Sequence, residues 1–149
     1  MANSCTCDGE DMAASLDETF DQHAWTFENQ PVTQLCVHRT SCSVESWTLQ
    51  ALLEIRLSAP FRLSLPDGTS RTIDPEATEQ VAPLLTLIGR AVTYMTVTRA
   101  GTLEVGFGDG SVVSTESHVR YEAFQVNGGG ALEGMQYTAR PGGGVPWAG

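Results

Sequence analysis

Tyr121 and Glu122 are the adjacent residues of this chain best suited to acid–base chemistry, because burial can tune the pKa of a carboxyl group beside a phenol. No second carboxylate or histidine lies at a spacing that would pair with them, and His118 is only loosely near. We therefore interpret Tyr121 or Phe124 as a core residue. Glu122 then caps a turn or pairs with Arg120 across a strand edge.

A serine–histidine group and a glycine-rich run are the other patterns that could carry chemistry. Ser114, Ser117 and His118 are close in sequence, but no nucleophile elbow and no orienting acid accompany them. The run 106–110 lacks the helix, the lysine and the Ser/Thr of a phosphate-binding loop. We interpret the first as a surface loop and the second as a hairpin. No catalytic residue is predicted, and an enzyme whose site is assembled from distant residues is the third-ranked alternative.

The cysteines and histidines lack the paired spacing of a zinc site. They are Cys5, Cys7, Cys36, Cys42, His23, His38 and His118. We expect free thiols in a reducing cytoplasm, with a labile disulfide between Cys36 and Cys42 as the minor alternative. No metal and no other cofactor is predicted.

The charge balance limits the kind of partner that the protein could bind. The chain carries 18 Asp and Glu against 8 cationic residues, all of them Arg, and its formal net charge is -10. Such a charge argues against a nucleic-acid partner and would attract a basic protein. A charge that only keeps the protein soluble is the alternative of equal weight.

The candidate partner-binding residues are three carboxylates and three aromatic side chains. They are Asp17, Glu18, Asp21, Trp25, Phe27 and Trp47. The carboxylates would speed association with a basic partner and add specificity. The aromatic residues would anchor the interface, although the same residues also fit a core.

The chain divides into three parts by composition. Residues 1–22 are an acidic extension, expected to be flexible, in which a short helix around Met12 to Phe20 is the alternative. Residues 23–140 form a single β-rich domain, and residues 141–149 form a Gly/Pro-rich tail that Trp147 could anchor. No apolar run is long enough to span a membrane and no secretory leader is recognised, so we expect a cytoplasmic protein.

Alternating apolar and polar residues predict the strands of the β-rich domain. The predicted strands are 32–38, 49–57, 61–65, 92–98, 103–107, 111–117, 120–126 and 131–139. Asp67-Gly68 and Asp109-Gly110 predict hairpin turns, and the run 127–130 predicts a turn before the last strand.

A short helix is predicted between the two groups of strands. Asp74 would be its N-cap, Pro75 its first residue and Gly89 its C-cap. Because Pro83 would break a continuous helix, the regular part is expected to begin near Ala82. Its apolar face would consist of Val81, Leu84, Leu85 and Ile88.

Similar patterns recur on the two sides of this helix. Segment 61–68 matches 103–110, and segment 32–37 matches 92–97. We therefore expect a mainly β, β-dominated α+β fold in which two antiparallel β-meander halves of a pseudo-repeat are joined by the short central helix.

The residue order in this region resembles an uncharacterised actinobacterial family, domain-of-unknown-function family 6188. The resemblance is carried by PFRLSLPDGTSRTIDPE, APLLTLIGRAVTYMTVTRAGTLEVGFGDGSVVS, RYEAFQVNG and PGGGVPWAG, and it extends roughly from Trp25 to Trp147. Its most specific pieces are Gly89-x-x-Val92, the 103–110 hairpin and the segment 121–124, where the family tends to have Trp at the last position. The resemblance implies a fold but brings no catalytic or binding residues.

By analogy with other small acidic domains, the leading hypothesis is a non-enzymatic protein-binding module, immunity-like or antitoxin-like, that occludes a basic protein such as a toxin. The alternative is a small-ligand-binding β-sheet protein with its cavity between the two halves. The sequence leaves the partner and the oligomeric state open.

Overall fold

A computed structural model describes residues 14–146, and in this part the chain forms twelve strands and one short 3-10 helix. The first seven strands are β1 Ala14–Glu18, β2 Gln22–Phe27, β3 Gln34–Val37, β4 Cys42–Trp47, β5 Ala51–Leu57, β6 Phe61–Ser64 and β7 Ser70–Ile73. The helix Thr78–Leu87 follows. The last five strands are β8 Val92–Thr98, β9 Thr102–Phe107, β10 Val112–Glu116, β11 Phe124–Gly130 and β12 Gln136–Thr138.

The strands form two antiparallel sheets. Sheet I has seven strands in the order β1-β2-β8-β9-β10-β6-β7, and sheet II has five in the order β12-β11-β5-β4-β3. The predicted fold class, β-dominated with a short helix in the middle, is confirmed.

The two sheets do not coincide with the two halves of the sequence. β6 and β7 from the first half join sheet I through β10, and β11 from the second half pairs with β5 in sheet II. Segments 32–37 and 92–97, which match in sequence, lie in different sheets. The strands of the two halves are therefore interleaved, because the pairings β2–β8, β6–β10 and β5–β11 each join strands of different halves.

One hydrophobic core receives side chains from both sheets. β5 shows the alternation most clearly, since Ala51, Leu53, Ile55 and Leu57 are buried while the residues between them are partly exposed. Leu49, expected on the same face, lies before the strand and is fully exposed. Burial of these aliphatic side chains is the main stabilising contribution to the fold.

Both predicted hairpin turns are present and share one hydrogen-bonding pattern. Asp67 Oδ1 accepts a hydrogen bond from the backbone N–H of Thr69 at 2.9 Å, and Asp109 Oδ1 accepts one from Ser111 at the same distance. The glycine that follows each aspartate has a positive φ, which favours glycine.

The central helix differs from the predicted one in type and in its buried face. It is a 3-10 helix, and the buried residues are Val81, Leu84 and Leu87. Three residues per turn place i, i+3 and i+6 on one side, so Leu85 and Ile88 are exposed and not packed as expected. Asp74 lies before the helix, where its carboxylate accepts a hydrogen bond from the N–H of Glu76.

The expected flexible extension, residues 1–22, is corrected for residues 14–22. Ala14–Glu18 is not a helix but edge strand β1, paired with β2 from Ala14↔Phe27 to Glu18↔His23. The apolar residues of this segment have helical spacing, but its backbone instead forms hydrogen bonds with β2 at the edge of sheet I. Met12 and the rest of 1–13 lie outside the described residues.

Three further differences concern segments with few apolar residues. β2, β4 and β7 were not predicted, and Asn127–Gly130 is not a turn but the end of β11. Residues 141–146 of the expected tail are docked, since Val145 is buried and its N–H donates to the carbonyl of Arg99. Trp147, the expected anchor, lies outside the described residues.

Cys36 and Cys42 are free thiols, as predicted. Cys36 pairs with Ser43 and Val37 pairs with Cys42 in the β3–β4 ladder, so the two cysteines belong to opposite faces of sheet II. Burial raises the pKa of the Cys42 thiol to about 12. Within residues 14–146, no helix is both long enough and apolar enough to cross a membrane.

Candidate binding cleft

The outer face of sheet I is built from the polar positions of its strands. Residues that are directly opposite in an antiparallel sheet share a face, so the strand register identifies the side chains that lie side by side. One row across the sheet consists of Asp17, Ala24, Thr96, Glu104, Ser114, Arg62 and Thr72. In the next row on the same face, Thr102 is directly opposite Glu116. The polar and charged groups of these two rows therefore come from six strands, β1, β6, β7, β8, β9 and β10.

A cleft of about 760 Å³ lies on this face. Apolar groups of Ala59, Phe61 and Leu103 form part of its lining. The short hydroxyl-bearing and amide side chains that line it are Gln22, Thr72, Thr96, Thr98, Thr102, Ser114, Thr115 and Ser117. Glu104, Glu116 and Arg62 are the charged groups, and Pro60 and His118 border it. A polar lining of this kind offers many hydrogen-bond acceptors to a bound group.

Glu104 lines the cleft, and its carboxylate is positioned by a hydrogen bond from Tyr94. The phenol of Tyr94 donates a hydrogen bond to Glu104 Oε2 at 2.7 Å. Burial, followed by the hydrogen bond to Glu104 and its negative charge, raises the pKa of Tyr94 to about 12. Tyr94 therefore stays protonated at neutral pH and acts as a donor.

The two carboxylates of the cleft have no neutralising cation within the part of the chain that the structure describes. Neither Glu104 nor Glu116 forms an ion pair with a cationic side chain of residues 14–146. Arg62, the cation in the cleft, instead directs its guanidinium towards Ser70 Oγ at 3.4 Å. Both carboxylates are exposed and remain available to a cation from outside.

The residues considered for catalysis are held by their own loop. His118 Nδ1 accepts a hydrogen bond from the N–H of Arg120 at 3.0 Å, and its ring stacks on Tyr121 at 4.7 Å. Tyr121 is 41% exposed and not a core residue, whereas Phe124 is fully buried. Glu122 is exposed beside Tyr121.

The three predicted carboxylates do not share one surface. Asp17 belongs to the row that contains Glu104, three strands and about 14 Å away. Asp21 is exposed and precedes Gln22, which lines the cleft. Glu18 belongs to the opposite face, where its Oε2 lies 3.8 Å from Nε2 of His23. Asp17 and Asp21 thus extend the acidic character of the cleft to the edge of sheet I.

Trp25 and Phe27 lie on the core side of β2. Phe27 is buried, and its ring stacks on the half-buried Trp25 at 6.3 Å. Trp25 Nε1 donates to the hydroxyl of Tyr137 at 2.9 Å, and His23 Nδ1 lies 2.6 Å from the same oxygen. These residues connect sheet I to β12 of sheet II and are packing residues in this structure.

Tyr137→Phe is expected to destabilise the protein by about 1–3 kcal/mol, because Trp25 and His23 would both lose a part-buried hydrogen-bond partner. Urea unfolding measures the effect. Tyr121→Phe is the matched control, since that ring is exposed, and its change should stay within about 0.5 kcal/mol. Equal midpoints for the two variants would show that the hydroxyl of Tyr137 does not stabilise the contact between the sheets.

Trp47 lies on the outer face of sheet II, away from the cleft. Its indole is 55% exposed, and Nε1 donates to Glu45 Oε1 at 2.8 Å. Glu45 is almost buried and also accepts hydrogen bonds from Gln34 Nε2 at 2.8 Å and Ser43 Oγ at 2.6 Å. The six predicted partner-binding residues therefore occupy the sheet I edge, the core and the sheet II surface.

Tyr94, Glu104, Glu116 and Arg62 were not predicted as site residues. Their signal is the polar half of the strand alternation, which marks an outer face but does not distinguish a cleft from an ordinary solvated surface. As for metals, residues 14–146 contain no group of three His, Cys, Asp or Glu side chains placed to hold one.

Comparison with known proteins gives one family match. A family model described as a family of unknown function, DUF6188, matches residues 40–147, which is more than half of the chain. The match begins between β3 and β4 and contains Arg62, Tyr94, Glu104 and Glu116, while Asp17 and Asp21 precede it. No curated protein and no solved structure matches the chain.

Proposed function

The chain belongs to this family of unknown function, DUF6188, and from the geometry of the cleft we propose that it is a non-enzymatic module that binds a basic segment of another protein. The observation that carries the proposal is the pair Glu104 and Glu116, two exposed carboxylates in a polar cleft without an ion-pair partner among the described residues. A cationic side chain placed there gains charge-assisted hydrogen bonds.

The overall charge supports the same kind of partner. A formal net charge of -10 accelerates the approach of a basic protein and disfavours an acidic one. Asp17 and Asp21 add two exposed carboxylates at the sheet edge beside the cleft. An immunity-like or antitoxin-like protein that occludes a basic toxin is the most specific form of this proposal. It includes a cytoplasmic location, with which the free thiols of Cys36 and Cys42 are compatible.

Small-ligand binding is the second candidate function. A cleft of about 760 Å³ lies within the size range of ligand sites, about 300–1,000 Å³. A ligand that occupies it would raise the melting temperature in proportion to the logarithm of its concentration. The sequence analysis expected a cavity between the two halves, whereas this cleft lies on the outer face of sheet I and is lined by strands of both halves.

The test compares two double variants with the same change in net charge. Glu104→Gln with Glu116→Gln removes both carboxylates of the cleft, whereas Glu76→Gln with Glu133→Gln removes two exposed carboxylates outside it. Each immobilised protein is exposed to a lysate of the source organism at low and at high salt. We expect wild type and the control variant to capture the same protein at low salt and the cleft variant to lose it.

Capture that is equal for the two double variants would contradict the cleft as the binding surface. Capture that persists unchanged in high salt would contradict an electrostatic complex, because exposed charges are screened within about 8 Å at physiological ionic strength. If no protein is captured, the module is not a protein binder, and the thermal-shift test of small ligands becomes the deciding measurement.

A further inference from the structure

Tyr94 is fixed in position by the glycine opposite it. Tyr94 and Gly106 are directly paired on β8 and β9. The ring lies flat over Gly106, so closely that a Cβ at position 106 would be 1.9 Å from Tyr94 Cε1. The Tyr94 ring therefore occupies the space that a side chain at position 106 would need. The ring is half-buried on the outer face of the sheet.

This arrangement orients the carboxylate of Glu104. The Tyr94 hydroxyl bonds Oε2, and within residues 14–146 no side chain bonds Oε1. Thr96 and Ser114 are the direct cross-strand neighbours of Glu104, one on each side, and both line the cleft. Neighbouring strands are about 4.8 Å apart, so a hydroxyl-bearing side chain stands on the strand on each side of Glu104.

Arg62 sets the direction in which a cation can bind. It lies in the same row as Glu104, with Ser114 between them. Its charge repels a second cation from the β6 side of the cleft. Glu116 lies on β10, between Glu104 and the strand of Arg62, whereas Asp17 lies at the opposite edge of the sheet on β1. The favourable position for one positive group is therefore at Glu104, towards β8.

Resting on the proposed function, we infer that the Glu104 position binds a guanidinium group, so that the basic segment presents an arginine and not a lysine here. A guanidinium carries five N–H donors in fixed directions, so it can bond the carboxylate of Glu104 and still present donors to the hydroxyl groups of Thr96 and Ser114 on the neighbouring strands. An ammonium group is a compact, strongly hydrated charge with three donors and uses fewer of these acceptors. Tyr94 is a positioning residue for Glu104.

The test measures binding of two probes of equal charge, an arginine hexapeptide and a lysine hexapeptide, by isothermal titration at low salt. Wild type is expected to bind the arginine peptide about tenfold more tightly, the ratio that one additional charge-assisted hydrogen bond provides. Tyr94→Phe keeps the ring over Gly106 but lacks the hydroxyl, and it should reduce the arginine-to-lysine ratio to about twofold or less. Glu104→Gln should weaken both peptides, and Glu133→Gln should change neither ratio nor affinity.

The outcomes separate this inference from the proposed function. If the two peptides bind wild type equally and Glu104→Gln with Glu116→Gln weakens both, the guanidinium preference is wrong and the basic-segment site stands. If neither peptide binds, or if that double variant binds both like wild type, the site and the preference both fail. Thermal unfolding confirms that each variant is folded; should Tyr94→Phe not fold, the ratio measured for Glu104→Gln decides the preference.

Discussion

Gly128→Ala is expected to be strongly destabilising, costing about 3 kcal/mol of unfolding free energy. A Cβ at this position would lie 2.4 Å from the backbone oxygen of Leu132 and 3.0 Å from Met135 Cβ. The strand β11 cannot shift to relieve these contacts, because hydrogen bonds hold it on both sides. The N–H of Gly128 donates to the carbonyl of Met135 at 2.9 Å, and Gly128 pairs with Leu53 in the centre of sheet II.

Gly129→Ala is the matched control for this prediction. The added methyl would meet only the side chain of Leu52, at 3.4 Å, and φ at Gly129 is not positive. Since alanine is also less flexible in the unfolded chain, the net change should stay within about 1 kcal/mol. Urea unfolding of the two variants measures the difference. Similar stabilities would mean that the turn after β11 can move away from the strand.

The glycine run of this prediction shows why one part of the fold could not be predicted. Three successive glycines after Asn127 are typical of a turn, and the sequence analysis placed a turn there. In the structure they continue β11, and Gly128 is required because residues 131–135 fold back over the strand. Glycine is favoured in turns and is also required where another backbone segment comes close, so the sequence alone does not distinguish the two cases.

Strands with regular alternation and their turns were predicted well. β5 and β9 place apolar residues at every second position, and the hairpin between β9 and β10 has an Asp-Gly turn. β4 was missed because Ser43, Glu45 and Ser46 are polar yet buried. Burial of polar groups depends on hydrogen-bond partners from other strands, which a single segment does not reveal.

The cleft depends on strand order, which the sequence does not give. Arg62 and Ser114 are cross-strand neighbours because β6 pairs with β10, although about fifty positions separate them in the chain. The pseudo-repeat predicted that strands of one half would pair with each other, and this pairing would have placed Arg62 and Glu104 apart. Polar positions were thus predictable, but their assembly into one site was not.

Glu45→Gln is the other substitution with a large expected effect, about 2 kcal/mol at neutral pH. The carboxylate of Glu45 accepts hydrogen bonds from Gln34, Ser43 and Trp47 on the outer face of sheet II. The amide has one acceptor oxygen and no charge, so it replaces charge-assisted hydrogen bonds by weaker ones. Glu54→Gln is the control, because Glu54 is directly opposite on β5 and more exposed, and its change should stay below about 1 kcal/mol.

The pH dependence of stability tests the role of the Glu45 charge. Burial raises the pKa of Glu45, but the hydrogen bonds from Ser43, Trp47, Cys36 and Gln34 together lower it below its ordinary value of 4.5. Because the folded-state pKa is below the unfolded one, the stabilisation is fully present above about pH 4.5 and is lost as the pH falls through the folded-state pKa. In urea unfolding from pH 7 down to pH 3, wild type should therefore lose more stability than Glu45→Gln, and the two curves should converge at the acidic end. Parallel curves would show that the stabilisation by Glu45 does not depend on its charge.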